Sequence, residues 1–129
     1  MELTLDQALQ KGVEAHKAGK VQEADRIYTA ILKANPKHPD ANHNLGVLFV
    51  SVNKADAALP LFKTALESNP KIEQFWLSYI GALLKEKQFK NAVQVIKQAK
   101  TQGVAEEQLD IFDTQRQTKN QVNEQTITK

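Results

Sequence analysis

Three residue triplets recur at a spacing of 34 along this chain of 129 residues. Ala24, Ala58 and Ala92 form one set, Tyr28, Phe62 and Ile96 a second, and Ile31, Ala65 and Ala99 a third. Pro36 and Pro70 keep the same period. A fixed period of roughly 20–50 residues marks a repeat architecture. One unit cannot bury its apolar side alone, so copies must stack into a continuous core. Stacked repeats work by presenting an extended surface, so a groove is expected before a catalytic pocket.

Inside the period the apolar pattern is helical. Ala24, Ile27, Tyr28, Ile31 and Leu32 follow the i, i+3, i+4, i+7 spacing of an amphipathic helix. Helices are expected near 4–18 and 21–34, then 39–52 and 55–68, then 73–86 and 89–102. Gly19 and Gly103 can stop helices by adopting the left-handed conformation. Asn35-Pro36 and Asn69-Pro70 stop others, because the residue before proline is pushed out of the helical region. Pro39 suits the first position of its helix, whereas Pro60 falls inside one and removes a backbone hydrogen bond there. Ala105, Leu109 and Phe112 share a face, with Ile111 extending it, which predicts a seventh helix over 105–116. Phe112 is its expected anchor on the last helix pair. The domain is therefore expected over 1–116, with a flexible polar tail over 117–129.

The charge balance argues against nucleic acid. Lys plus Arg is 17 and Asp plus Glu is 15. The whole excess sits in residues 114–129, where Arg116, Lys119 and Lys129 oppose Glu124. A nucleic-acid binder shows a clear basic stripe instead. There is no cysteine, which removes disulfides, thiolate catalysis and cysteine-type zinc sites. The acidic start lacks the order of a signal peptide, and the apolar run from Leu45 to Val52 is too short to span a bilayer. These features point to a cytoplasmic chain without membrane insertion.

The repeat signature resembles the tetratricopeptide repeat (TPR) family. That family's pattern places W-x2-L-G-x2-Y, then A-x3-F, then P, within one repeat. Residues 39–72 match best, with Asn42, Leu45-Gly46, Phe49, Ala58, Phe62, Ala65 and Pro70. Residues 5–38 keep Gly12, Ala24, Tyr28 and Pro36. Residues 73–106 keep Trp76, Tyr79, Leu83, Phe89 and Ala92, but hold Ile80 at the glycine position and Val104 at the proline position. The resemblance implies an all-α fold: a right-handed α-solenoid of three helix pairs plus a C-terminal capping helix. These signature residues are packing, not chemistry.

Function is implied through the groove that the first helices of such pairs line. The carried-over positions begin with Asp6, Leu9, Gln10, Val13, His16 and Lys17. The second repeat adds Asp40, His43, Asn44, Val47, Val50 and Ser51, and the third adds Gln74, Leu77, Ser78, Gly81, Leu84 and Lys85. The aliphatic row Leu9, Val13, Val47, Val50, Leu77 and Leu84 suits an apolar or amphipathic protein segment. The partner-binding set is expected to be Leu9, Val13, His16, His43, Asn44, Val47, Val50, Leu77 and Leu84. The family's two-carboxylate clamp needs basic residues and asparagines at five positions that here hold Leu9, Val13, Asn44, Gln74 and Ser78. Only Asn44 fits, so no charge would neutralise a buried carboxylate.

No enzyme motif is present: no GxSxG, no glycine-rich phosphate loop, no HExxH. No metal or cofactor is expected, and His16, His38 and His43 read as solvated or groove-lining rings. The leading expectation is a monomeric, non-catalytic scaffold that binds a protein or peptide partner. An alternative is the recruiting arm of a larger bacterial enzyme, since the repeats resemble those preceding glycosyltransferase, sulfotransferase or methyltransferase domains. A third reading is self-association through the groove or the open end.

Overall fold

A computed structural model describes residues 3–112 of the chain. Six helices follow one another: α1 (Leu5–Lys17), α2 (Val21–Ala34), α3 (Pro39–Ser51), α4 (Ala55–Ser68), α5 (Glu73–Lys85) and α6 (Phe89–Thr101). A seventh, α7, is helical from 106 to 112, where the described residues end. The expected end of that helix at 116 and the tail over 117–129 lie outside the described residues. No strand occurs among the described residues. The fold is the expected right-handed all-α solenoid with its terminal cap.

Turn chemistry sets the helix ends. Thr4 and Gln7 form a reciprocal capping box that starts α1, and His38 Nδ1 accepts from the Ala41 amide at 3.1 Å to start α3. Pro39 takes the first position of α3 as anticipated, and α4 runs through Pro60. The first helix of each pair closes with the same double hydrogen bond. Gly19 N donates to His16 O while Lys20 N donates to Ala15 O, and Asn53/Lys54 and Lys87/Gln88 repeat this one and two periods later. These are Schellman closures, which place the penultimate donor at positive φ. After α2 and α4 the closure differs: Asn35 and Asn69 turn extended before proline.

The core is built from small-against-large pairs. A Cβ on Gly12 would lie 2.5 Å from Cε1 of Tyr28, and one on Gly46 would lie 2.5 Å from Cε1 of Phe62. Each glycine thus makes the space its aromatic fills. The third repeat inverts the proportions: Ile80 replaces the glycine and Ile96 the ring, and both are buried. Another repeated position serves as a clamp. Asn42 Nδ2 donates to Pro36 O at 3.0 Å, and Trp76 Nε1, 34 residues on, donates to Pro70 O at 2.7 Å.

Layering follows from which helices touch. α1 meets α3 and α3 meets α5, whereas α2, α4 and α6 do not reach one another. The odd-numbered helices are therefore drawn together on the inner side of the curve. At the C-terminal end, Leu109 is fully buried with Val104, Leu83, Leu84, Ile96 and Ala99. Phe112, the expected anchor, is only partly buried at the edge of this cluster. Leu109 carries the docking because it points between α5 and α6.

Candidate functional site: the inner groove

The inner surface holds two adjoining pockets that share Val47. The first, about 380 Å³, is lined by Val13, His16 and Lys17 of α1, Asn44 and Val47 of α3, and Tyr28 behind them. The second, about 440 Å³, is lined by Val47 and Val50, by Gln74, Leu77, Ser78, Gly81, Leu84 and Lys85 of α5, and by Phe62, Ala82 and Phe112. A larger cavity of about 500 Å³ lies between α4 and α6 over the back of α5, next to Trp76 and Tyr79. Its walls are mostly long polar side chains such as Lys63, Glu67, Gln94 and Gln98. Size alone does not make it the better site, because the groove combines an apolar floor with continuity across repeats.

Of the nine expected binding residues, seven reach these two pockets. Leu9 does not: it packs, half-buried, on the cluster of Tyr28, Ile31, Ala41 and Leu45. His43 does not either. It is 9% exposed and wedged between α3 and α5, stacked on Phe75 at 4.7 Å with Phe62 at 5.6 Å. Leu84 touches the second pocket but is only 3% exposed, so it is floor rather than open stripe. Helical spacing assigns a side chain to a face of its own helix and does not show which neighbour covers it.

His43 organises a short polar chain under the apolar floor. Its Nε2 lies 2.8 Å from Ser78 Oγ, and its Nδ1 lies 3.4 Å from Asn44 Oδ1. Gln74 Nε2 donates to the same Ser78 hydroxyl at 3.2 Å. A neutral ring that donates from Nδ1 and accepts at Nε2 satisfies both partners. Burial holds the His43 pKa below the ordinary histidine value, outweighing the Asn44 hydrogen bond and the Asp40 carboxylate, which both raise it. Burial likewise raises the Tyr28 pKa, against a hydrogen bond from Asn44. His16 lines the first pocket while His43 is walled off from both, so the two rings are not brought together. Among the described residues no three His, Asp or Glu side chains gather as a metal site.

Phe112 is the groove residue that sequence reasoning missed. A Cβ on Gly81 would lie 3.9 Å from its ring, so Phe112 stands over α5 and closes the second pocket. The signal was present. Phe112 lies 34 residues after Ser78 and 68 after Asn44, both groove positions. α7 therefore takes the place that the first helix of a further repeat would have.

The tetratricopeptide repeat family profile matches residues 9–51 and 43–105, most of the chain and in phase with the helix pairs. The chain belongs to the tetratricopeptide repeat family. Among curated protein sequences none matches significantly. Among solved structures, a MamA structure is 27% identical over 78% of this chain and 55% of its own, with a TM-score of 0.69. The Sgt2 TPR domain from Aspergillus fumigatus is 18% identical over 93% of this chain and 82% of its own, with a TM-score of 0.77. The Yersinia enterocolitica type III secretion translocator chaperone SycD is 14% identical over 92% and 90%, also at 0.77. The last two likenesses concern fold alone. The chain spans a little over half the length of the MamA chain it resembles. No described helix is long and apolar enough to cross a membrane.

Proposed function

We propose that this TPR chain is a non-catalytic scaffold whose inner groove holds an apolar or amphipathic segment of a protein partner. The observation that carries this reading is the pair of adjoining pockets sharing Val47, with Val13, Val50, Leu77 and Phe112 as half-buried apolar walls. Aliphatic side chains left half-open along a continuous furrow gain by burial against a second apolar face. The remaining polar lining is amide, hydroxyl, amine and the His16 imidazole, groups that position a ligand by hydrogen bonds. The protein is taken to act as a monomeric cytoplasmic adaptor.

The reading is tested with a fluorescent amphipathic helical peptide bearing a leucine stripe. Val47→Glu sets a carboxylate at the junction of the two pockets and should weaken binding at least about tenfold. Leu77→Glu should do the same from the opposite wall. Both variants must keep the helical circular dichroism spectrum of the parent. Undiminished binding by these folded variants would place the site elsewhere.

A further inference from the structure

The groove's occupant can be specified further, on the reading that the groove is the binding site. Its two edges carry opposite charge. The first turns of the inner helices bear Asp6, Asp40 and Glu73. The last turns bear His16 and Lys17 on α1 and Lys85 on α5, with no basic residue on α3. Because the repeats stack in one sense, first turns line one edge of the groove and last turns the other. Helical spacing puts Asp6 and Asp40 on the groove face, and puts Glu73 one position before Gln74, their third-repeat counterpart. Asp6 precedes Val13 by seven residues, Asp40 precedes Val47 by seven, and Glu73 precedes Leu77 by four. Lys17 follows Val13 by four and itself lines the first pocket, while Lys85 follows Gly81 by four and lines the second. Lys37 and Lys71 stand in the turns outside the inner helices.

Helix dipoles favour acids at first turns and bases at last turns, which accounts for where these residues sit. The dipole does not erase their field. Each helix end carries only about half a charge, and each side chain carries a full one. The groove is left with an acidic edge, an apolar floor and a basic edge.

We propose that the groove takes a partner's amphipathic α-helix whose apolar stripe is flanked by basic residues on one side and acidic residues on the other, and that these flanks fix the direction in which the helix lies. A helix resting on its apolar stripe exchanges its left and right flanks when its chain direction is reversed. Only one direction therefore sets bases against Asp6, Asp40 and Glu73 and acids against Lys17 and Lys85. The acidic edge has Asp6 and Asp40 at one repeat position, where the third repeat has Gln74 with Glu73 beside it, so bases are wanted along this flank, above all opposite α1 and α3. The basic edge has Ser51 between its two lysines, so acids are wanted near the two ends.

Three synthetic peptides of about 18 residues, some 27 Å as helix, test this. All share one leucine stripe and carry an N-terminal nitroxide. The first has Lys on one flank and Glu on the other, the second has these flanks exchanged, and the third has Gln on both. Paramagnetic broadening of the Val13 and Leu77 methyl signals reports which end of the groove holds the label. The first two peptides should broaden opposite ends, with a preference of roughly five to one or better, summed from several weak exposed pairs. The Gln peptide should broaden both ends alike. Salt near 1 M, where the Debye length is about 3 Å, should scramble the first two while leaving them bound. If the charged peptides occupy the groove but show the same end, or both ends equally, the directional proposal fails and the groove reading stands. If no peptide perturbs the Val13, Val47 or Leu77 methyls, both fail.

Discussion

Lys87 stands where the backbone asks for glycine. The residues one past the C-caps of α1, α3 and α5 are Gly19, Asn53 and Lys87, with φ of +77°, +62° and +59°. A side chain other than glycine or asparagine in this left-handed region costs roughly 1–2 kcal/mol. Lys87→Gly should therefore raise stability, by up to about 1 kcal/mol after the extra freedom of glycine in the unfolded chain is allowed for. Gly19→Ala should lower it by about 1 kcal/mol, although no atom lies within 4 Å of the added Cβ. Urea titration of the two variants checks both signs. The sequence showed Gly19 as a helix stop but not Asn53 or Lys87, because the two closing hydrogen bonds impose the positive φ whatever the residue. The glycine–aromatic pairs give a second test. Gly46→Ala forces a methyl to within 2.5 Å of the Phe62 ring and should cost about 1–3 kcal/mol. Adding Phe62→Ile should recover part of that loss, since the Ile80 and Ile96 pair of the third repeat already shows such a compensation. A double-mutant cycle with no coupling energy would mean that the two side chains do not share one space.

At the level of elements, α7 serves both as a cap on the stack and as a wall of the groove. Leu109 is fully buried with residues of both α5 and α6, as a cap requires, while Phe112 closes one end of the groove. Truncation after Gly103 removes both and exposes the apolar end of the stack. The shortened protein should melt lower or aggregate. Phe112→Ala in the full chain should melt close to the parent yet change affinity for the leucine-stripe peptide. An unchanged melting temperature after truncation would show that α7 does not cap the array. Helices α1 to α6 were legible to within one residue at each end, because the 34-residue apolar period carries the boundaries marked by proline or glycine in one repeat into the others. The groove was less legible. Spacing assigns a side chain to a face of its own helix, but coverage depends on a neighbour about 34 residues away. Thus His43, read as groove-facing, is covered by Phe75, and Leu9 rests on the first repeat's own cluster.

For the whole molecule the question is whether three repeats behave as one. The buried clusters cross the repeat boundaries: Ala15, Tyr28 and Ile31 pack with Leu45 and Leu48, and Ala58 and Phe62 pack with Ala82. Energy shared across such interfaces makes an array of stacked repeats unfold as a unit. His43 is the polar member of the interface between the second and third repeats, bonded to Ser78 and stacked on Phe75. Its state of protonation should therefore register in global stability. Burial makes the native ring a weaker base than the free side chain, so the unfolded chain takes up the proton first as the pH falls. Stability from this group is complete above the ordinary histidine pKa of about 6.5. It declines as the pH drops from there toward the lowered native value, and below that value it levels off. Carboxylates titrate mostly near pH 4, well below the start of this window. Chemical denaturation at about pH 7.5 and about pH 5.5 should show wild type losing stability between the two, and His43→Gln losing less. The comparison is of slopes, because the variant also forfeits ring stacking at every pH. Parallel slopes for the two proteins would mean that His43 does not couple the repeats to pH, and the neutral ring between Ser78 and Asn44 would lose its energetic role.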